Sequence, residues 1–337
     1  MSRFLIAATV VAALLLSTVT HAEQQVAPYR YSEAYRSHNY ARASHCSASS
    51  LSSWSCGPIC DKIPGFQFYT TVGDSWYDTF GFIGVDHTNK QIVVAFRGSV
   101  TVMNWVQDLV FTFVDYVIHS SCRRCRVHKG FLASYLSVRS QVKAAVTTLL
   151  SRHPGYQVLA AGHSLGGALA VHAAVDLQVL LDSMAGPTAP VALYTLGAPR
   201  VGNPSFAKWT AQILARGPHY RLTHCRDPVP HMPPMSFGFL HAPSEVFYRT
   251  RSNSSMRMCN DSPVKESSKC SNSMFAVSFT DHLKYFGEDA DCSCRNCRSA
   301  ALKSVEVEPK LPKWLYARLA WEQMKMSTGI LNATTLE

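Results

Sequence analysis

The chain has 337 residues, 47% of them hydrophobic, which is enough to build a buried core and excludes a disordered chain. Thirty-two Lys and Arg outweigh 22 Asp and Glu, for a formal net charge of +10. That balance can draw the chain toward anionic surfaces such as phospholipid headgroups, but no basic patch interleaved with aromatics is present, so nucleic acid is not expected as a partner.

Residues 1–22 stand apart from the rest. Arg3 supplies a positive charge, residues 4–16 are almost all apolar, and Thr20-His21-Ala22 puts small residues at the −3 and −1 positions of a cleavage site. This pattern predicts a secretory signal peptide, with an apolar part too short to span a bilayer comfortably; an uncleaved anchor is the alternative. No later stretch reads as a membrane span. Residues 23–337 suit one large α/β domain with extensions, or at most two domains.

The eleven cysteines lie at 46, 56, 60, 122, 125, 225, 259, 270, 292, 294 and 297. Behind a signal peptide they read as a disulfide framework. The run Cys292-Ser293-Cys294-Arg295-Asn296-Cys297 could suggest zinc, but it lacks an adjacent histidine pair, and disulfides are the expectation in an oxidising compartment; no metal or cofactor is expected. An odd count leaves at least one thiol outside intrachain pairs. Cys225, in a strand-like run and expected to be buried, is the candidate. Asn253, Asn260 and Asn332 head glycosylation sequons, which also suit secretion, whereas Pro204 excludes Asn203.

Residues 23–62 are polar and Cys-rich and read as an N-terminal arm wrapping the core. Residues 80–86 and 91–96 form a predicted hairpin ending at Arg97-Gly98-Ser99. The mostly apolar stretch 100–112 follows, with Val100, Val102, Met103, Trp105, Val106 and Leu109. A helix is predicted over 131–152, stopped by His153-Pro154-Gly155. Tyr156-Gln157-Val158-Leu159-Ala160-Ala161 is the next strand, then a helix runs from Leu165 to about Ser183. A strand over 191–196 leads to Gly197-Ala198-Pro199-Arg200. The following helix takes Asn203 as N-cap and Pro204 at its first position. Strands at 220–225 and 245–250 complete a βα alternation that predicts an α/β sheet with helices on both faces.

Between strand and helix stands Gly162-His163-Ser164-Leu165-Gly166, a G-x-S-x-G turn in the context of a nucleophile elbow. Glycines flank the serine because the turn leaves no room for side chains. The helix after it aims its N-terminal N–H groups at a reacting carbonyl. A serine hydroxyl needs a base, and the base an orienting acid, which in this fold follow in the order Ser, Asp or Glu, His. Asp227 has a strand before it and a turn after it, whereas Asp176 and Asp182 belong to the post-serine helix. His282 is the last histidine and lies on a C-terminal loop. His224 and His231 flank Asp227 too closely, His241 is the rival that would line the site, and His163 cannot fold back onto its neighbour and is assigned to packing.

Val94-Ala95-Phe96-Arg97-Gly98-Ser99, Gly162-His163-Ser164-Leu165-Gly166-Gly167, Arg226-Asp227-Pro228-Val229-Pro230-His231-Met232-Pro233-Pro234 and Asp281-His282-Leu283-Lys284-Tyr285-Phe286 together resemble the fungal-type, or class 3, triacylglycerol lipases. The likeness covers roughly residues 65–298. It implies a single catalytic domain over 23–298 with an α/β-hydrolase-like, mostly parallel sheet, and hydrolysis of long-chain acylglycerol esters at an oil–water or membrane interface, with no obligate protein partner. Position by position it implies Ser164 as nucleophile, Asp227 as orienting acid, His282 as base, Ser99 and Leu165 as oxyanion-hole donors, and a lid around Asn104-Trp105. The family's disulfides further suggest Cys122–Cys125, Cys56–Cys60 and Cys259–Cys270, with Cys46 joined to Cys292, Cys294 or Cys297.

Residues 299–337 lie outside the resemblance. Trp314, Leu315, Leu319, Trp321 and Met324 form a partial apolar stripe beside Lys313, Arg318 and Lys325. A helix docked on the domain is preferred to one lying on a membrane interface. Phospholipase A or feruloyl-type esterase activity would use the same triad, and a non-catalytic lipid-binding protein would have lost one of its members.

Overall fold

The structure, a computed structural model, describes residues 27–99, 110–186, 188–250, 256–292 and 311–328. The predicted signal peptide, residues 100–109 of the predicted lid stretch, Asn253, Asn332, Cys294 and Cys297 lie outside the described residues.

Eight strands form the central sheet. They are β1 (Phe66–Asp74), β2 (Thr79–Asp86), β3 (Gln91–Phe96), β6 (Gln157–His163), β7 (Ala192–Leu196), β8 (His219–His224), β9 (Glu245–Tyr248) and β10 (Met256–Met258), hydrogen-bonded in that order. The short strands β4 (Phe113–Asp115) and β5 (Arg126–His128) pair with each other outside it. From β3 through β9 every pair is parallel, and the antiparallel pairs lie at the two edges. This is the α/β-hydrolase-like architecture the motifs imply. Parallel strands buried on both faces must be apolar throughout, and β3 is buried at all six positions.

The pleat sorts those strands between two cores. Ile92, Val94, Phe96, Val158 and Ala160 pack under the helices Lys129–Arg152 and Leu165–Asp182. Val93, Ala95, Leu159, Ala161, Leu196 and Leu222 face the other way. There they meet Ala34, Tyr40, Ala41 and Ala43, which belong to a 13-residue helix, Tyr31–Ala43. The predicted arm is therefore a structural layer. Its apolar signal is weak because its buried face is half polar: Glu33 accepts from Gln91 Nε2 at 2.8 Å and Tyr194 Oη at 3.1 Å.

Helix Leu165–Asp182, with mean hydropathy 1.4, meets the length and composition of a membrane span, contrary to the expectation that no stretch after the leader does; 72% of it is buried inside the fold. The hairpin and the predicted helices and strands fall within a residue or two of expectation, and Asn203 is the expected N-cap, accepting from Phe206 N–H at 3.0 Å. Among the described residues four disulfides are formed: Cys46–Cys292, Cys56–Cys60, Cys122–Cys125 and Cys259–Cys270. Cys225, expected to be buried, is half-buried because it sits in the bend just past β8, at φ 47°. Asn260 is exposed.

Candidate active site

Ser164 stands between β6 and the helix Leu165–Asp182 at φ 57°, ψ −129°, a conformation that L-residues rarely adopt. The glycines around it are required by space. A Cβ at Gly162 would lie 2.1 Å from the carbonyl oxygen of Gly166, and one at Gly166 would lie 2.3 Å from that of Phe96. Gly98, at the end of β3, approaches from the adjacent strand, where a Cβ would sit 3.3 Å from Ser164 Cβ. This puts the Gly98-Ser99 segment beside the serine, as the motif order requires.

Asp227 lies in the turn after β8. One carboxylate oxygen accepts Val229 N–H at 2.8 Å, and both lie 3.0 Å from His282 Nδ1. Tyr285 Oη donates to Oδ2 at 2.7 Å. The structure thus brings together Asp227 and His282, 55 residues apart in sequence, in a buried pair. His282 Nε2 and Ser164 Oγ are both buried, and neither has a hydrogen-bond partner among the described residues. An aligned Ser–His contact often forms only when substrate is bound.

His282 rides on a one-turn helix, Phe279–His282, capped by Ser278. Two buried histidines, at the ends of β6 and β8, hold its backbone. His163 Nε2 lies 2.9 Å from the carbonyl oxygen of His282, and His224 Nδ1 lies 2.9 Å from that of Asp281. A carbonyl only accepts, so the proton is on His163 Nε2 and His224 Nδ1. Burial, with His282 and His45 nearby, pushes the His163 imidazole well below its usual pKa, so it stays a neutral donor. Its role extends beyond the packing expected of it. His45, from the N-terminal arm, accepts Gly98 N–H at 3.3 Å, and burial together with Arg97 lowers its pKa to about 4.

The other candidates fall elsewhere. His241 Nε2 bonds the Pro230 carbonyl at 2.8 Å, and its N–H donates to Glu266 at 2.9 Å. That network centres on the buried, two-pronged Arg200–Glu266 ion pair, with both contacts at 2.8 Å. Arg200 also donates to the carbonyls of His231 and Pro233 and so braces the loop that follows Asp227. Asp176 pairs with Arg139, Tyr135 and His119, away from the serine. Sequence reasoning missed Tyr285, Gly197, Arg200 and His45. Tyr285 lies inside the quoted Asp281–Phe286 motif, whereas no spacing rule reaches His45.

The class 3 lipase family model matches residues 93–237, from β3 through the elbow to the Asp227 loop. The lipase of Rhizomucor miehei is 38% identical over 236 residues, 69% of this chain and 62% of its own length. The solved lipase of Rhizopus microsporus var. chinensis superposes with TM-score 0.71 at 33% identity, covering 80% of this chain and 91% of that one. The chain belongs to the class 3 lipase family. Another family structure, of a triacylglycerol lipase whose catalytic centre is a serine protease triad, matches at 36% identity and TM-score 0.70, covering 77% of this chain and 96% of that one. The chain spans 62% of the length of the Rhizomucor miehei relative and 57% of that of Rhizopus niveus.

Proposed function

We propose that this class 3 lipase is a secreted serine hydrolase that cleaves acylglycerol esters, triacylglycerols among them. The buried Asp227–His282 pair, set in chain order after a strained elbow serine, carries the reading. In it Ser164 Oγ attacks the ester carbonyl carbon while His282 Nε2 takes its proton. Asp227 holds the ring through Nδ1–H and stabilises the imidazolium. The N–H groups of Ser99 and Leu165 receive the oxyanion, a contribution of about 10²–10³ in rate for one such donor. Collapse expels the glyceride alcohol, protonated by His282, and water then releases the fatty acid from Ser164 by the same steps.

Ser164 and His282 are both 0% exposed, which supports a cover over the site. The apolar stretch 100–112, directly after Ser99, is the lid in this reading. Swinging out at a lipid surface would move its apolar side chains from water into lipid. The disulfides favour an oxidising compartment, which supports secretion or retention in an endomembrane lumen.

The testing experiment is a substrate panel of triacylglycerols of varied chain length, diacylglycerols, phospholipids and aryl esters, with Ser164→Ala as control. The reading expects acylglycerol hydrolysis that disappears in the variant. Hydrolysis that survives in Ser164→Ala, or acts only on feruloyl-type aryl esters, contradicts it.

A further inference from the structure

The C-terminal helix Lys313–Ser327 is docked on the catalytic domain. Leu311, Leu315 and Leu319 pack with Val229 and Met232, next to Asp227, and with Phe279, on the one-turn helix that carries His282. Glu322 turns inward and accepts the N–H groups of Met235 at 3.1 Å and Ser236 at 2.7 Å. The helix therefore sits on the rim formed by the loops bearing the acid and the base.

Its outer face carries a different pattern. Trp314, Arg318, Trp321 and Lys325 recur at i, i+4, i+7 and i+11 and so line one stripe. Trp314 is 53% exposed and Trp321 38%. Trp314 meets Phe111 edge to face at 6.0 Å, and Arg318 lies over both Phe237, at 5.1 Å, and Trp321, at 4.8 Å. Phe111 and Phe237 touch at 5.6 Å, which joins the stripe to the C-terminal end of the apolar stretch 100–112. With Glu322 buried, every outward charge on this helix is positive. Exposed tryptophans flanked by Lys and Arg suit a surface with an apolar boundary and anionic headgroups.

We propose that the helix Lys313–Ser327 is a lipid-surface anchor, its Trp314–Arg318–Trp321–Lys325 stripe lying on an anionic phospholipid surface and turning the active-site rim toward it. This deepens the lipase reading and rests on it for the direction the rim must face. A neutral partner surface would leave the one-sided charge unused, and a second copy of this basic helix would be repelled by it.

The test is sedimentation of the full chain, made inert by Ser164→Ala, with sucrose-loaded vesicles of phosphatidylcholine alone or with phosphatidylserine. The parent is expected to bind the mixed vesicles more strongly. Trp314→Ala with Trp321→Ala should lower the partition coefficient about ten-fold or more. Lys313→Glu with Lys325→Glu should abolish the preference for phosphatidylserine. Thermal unfolding at the parent's midpoint establishes that each variant is folded. Unchanged partitioning in both variants overturns the anchor. Failure of the parent to bind vesicles, or self-association through the same tryptophans in their place, overturns it too. Ester hydrolysis by the Ser164 chain is scored separately. An active chain that ignores vesicles defeats the anchor alone, and a chain that binds through the stripe but hydrolyses no ester defeats the lipase reading alone.

Discussion

The Tyr285 hydroxyl donates to Asp227 Oδ2 at 2.7 Å, sharing with His282 a carboxylate that is almost wholly buried. A buried carboxylate needs several donors to remain ionised and in place, and Tyr285 supplies one that the Ser-Asp-His pattern does not name. Tyr285→Phe should lower kcat/KM on a soluble ester about ten-fold and destabilise the fold by about 1–2 kcal/mol. Asp227→Asn, which favours the wrong tautomer of His282, should cost about 10⁴. Kinetics and denaturant unfolding of both variants check this. Equal losses in the two would mean that Tyr285 does more than hold the carboxylate.

His163 positions the base by its hydrogen bond to the His282 carbonyl. His163→Phe should reduce kcat by about 10–10² with little change in KM for a small ester, since it loosens geometry and not binding. His163→Gln, whose amide can donate to the same carbonyl, should recover part of the loss. Wild-type kcat in the phenylalanine variant would return His163 to a packing role.

Gly197 is at φ 55°, and a Cβ there would lie 2.8 Å from Asp227 Oδ2 and 3.0 Å from both His282 Nδ1 and Tyr285 Oη. Gly197→Ala should therefore cost more activity than stability. The positive φ accounts for about 1–2 kcal/mol of unfolding free energy, while displacement of the Asp–His pair should lower kcat about 10²-fold or more. Urea unfolding beside ester kinetics separates the two effects.

Acid should destabilise this protein because several buried histidines are neutral when folded and take up protons on unfolding. Burial lowers His128 and His231 to about 4 and His172 to about 3, all from an ordinary 6.5. Between those values and 6.5 the unfolded chain binds protons that the native chain does not, so stability rises with pH. It is fully present above about 6.5 and lost as pH falls toward 4. Thermal midpoints across pH 4–8 should drop steadily below 6.5. A flat profile would mean that these imidazoles protonate in the native state.

The lid stretch is tested by Trp105→Glu. Activity on emulsified triacylglycerol should fall by about ten-fold or more while activity on a soluble short-chain ester changes little, because only the first needs apolar area exposed at a surface. Equal losses on both substrates contradict the lid.

What was legible in the sequence was what local chemistry dictates. The elbow announces itself because its glycine spacing is a local motif, Gly162 being forced by the Gly166 carbonyl four residues on and Gly166 by Phe96 of the adjacent strand, and the strand–helix alternation because parallel strands are continuously apolar. Asp227 and His282 could be found because chain order and turn context constrain them. The arm helix was hidden because its inward face carries Glu33, Ser37, His38 and Asn39 among its alanines, and the partners of Glu33, Gln91 and Tyr194, lie far along the chain. His45 and Arg200 were hidden for the same reason: each acts on a backbone group more than 30 residues away. Which cysteine joins Cys46 was left open by spacing alone, and it is Cys292, beside the Glu288 that also holds Tyr35, Arg42 and Lys62 of the arm.

The central claim, that Ser164 is a nucleophile activated by His282 and Asp227, is tested most directly by a fluorophosphonate probe followed by peptide mass spectrometry. Stoichiometric labelling of Ser164 is predicted, lost in Ser164→Ala and slowed by orders of magnitude in His282→Ala. A folded chain left unlabelled at Ser164, or labelled at the same rate without His282, would contradict it.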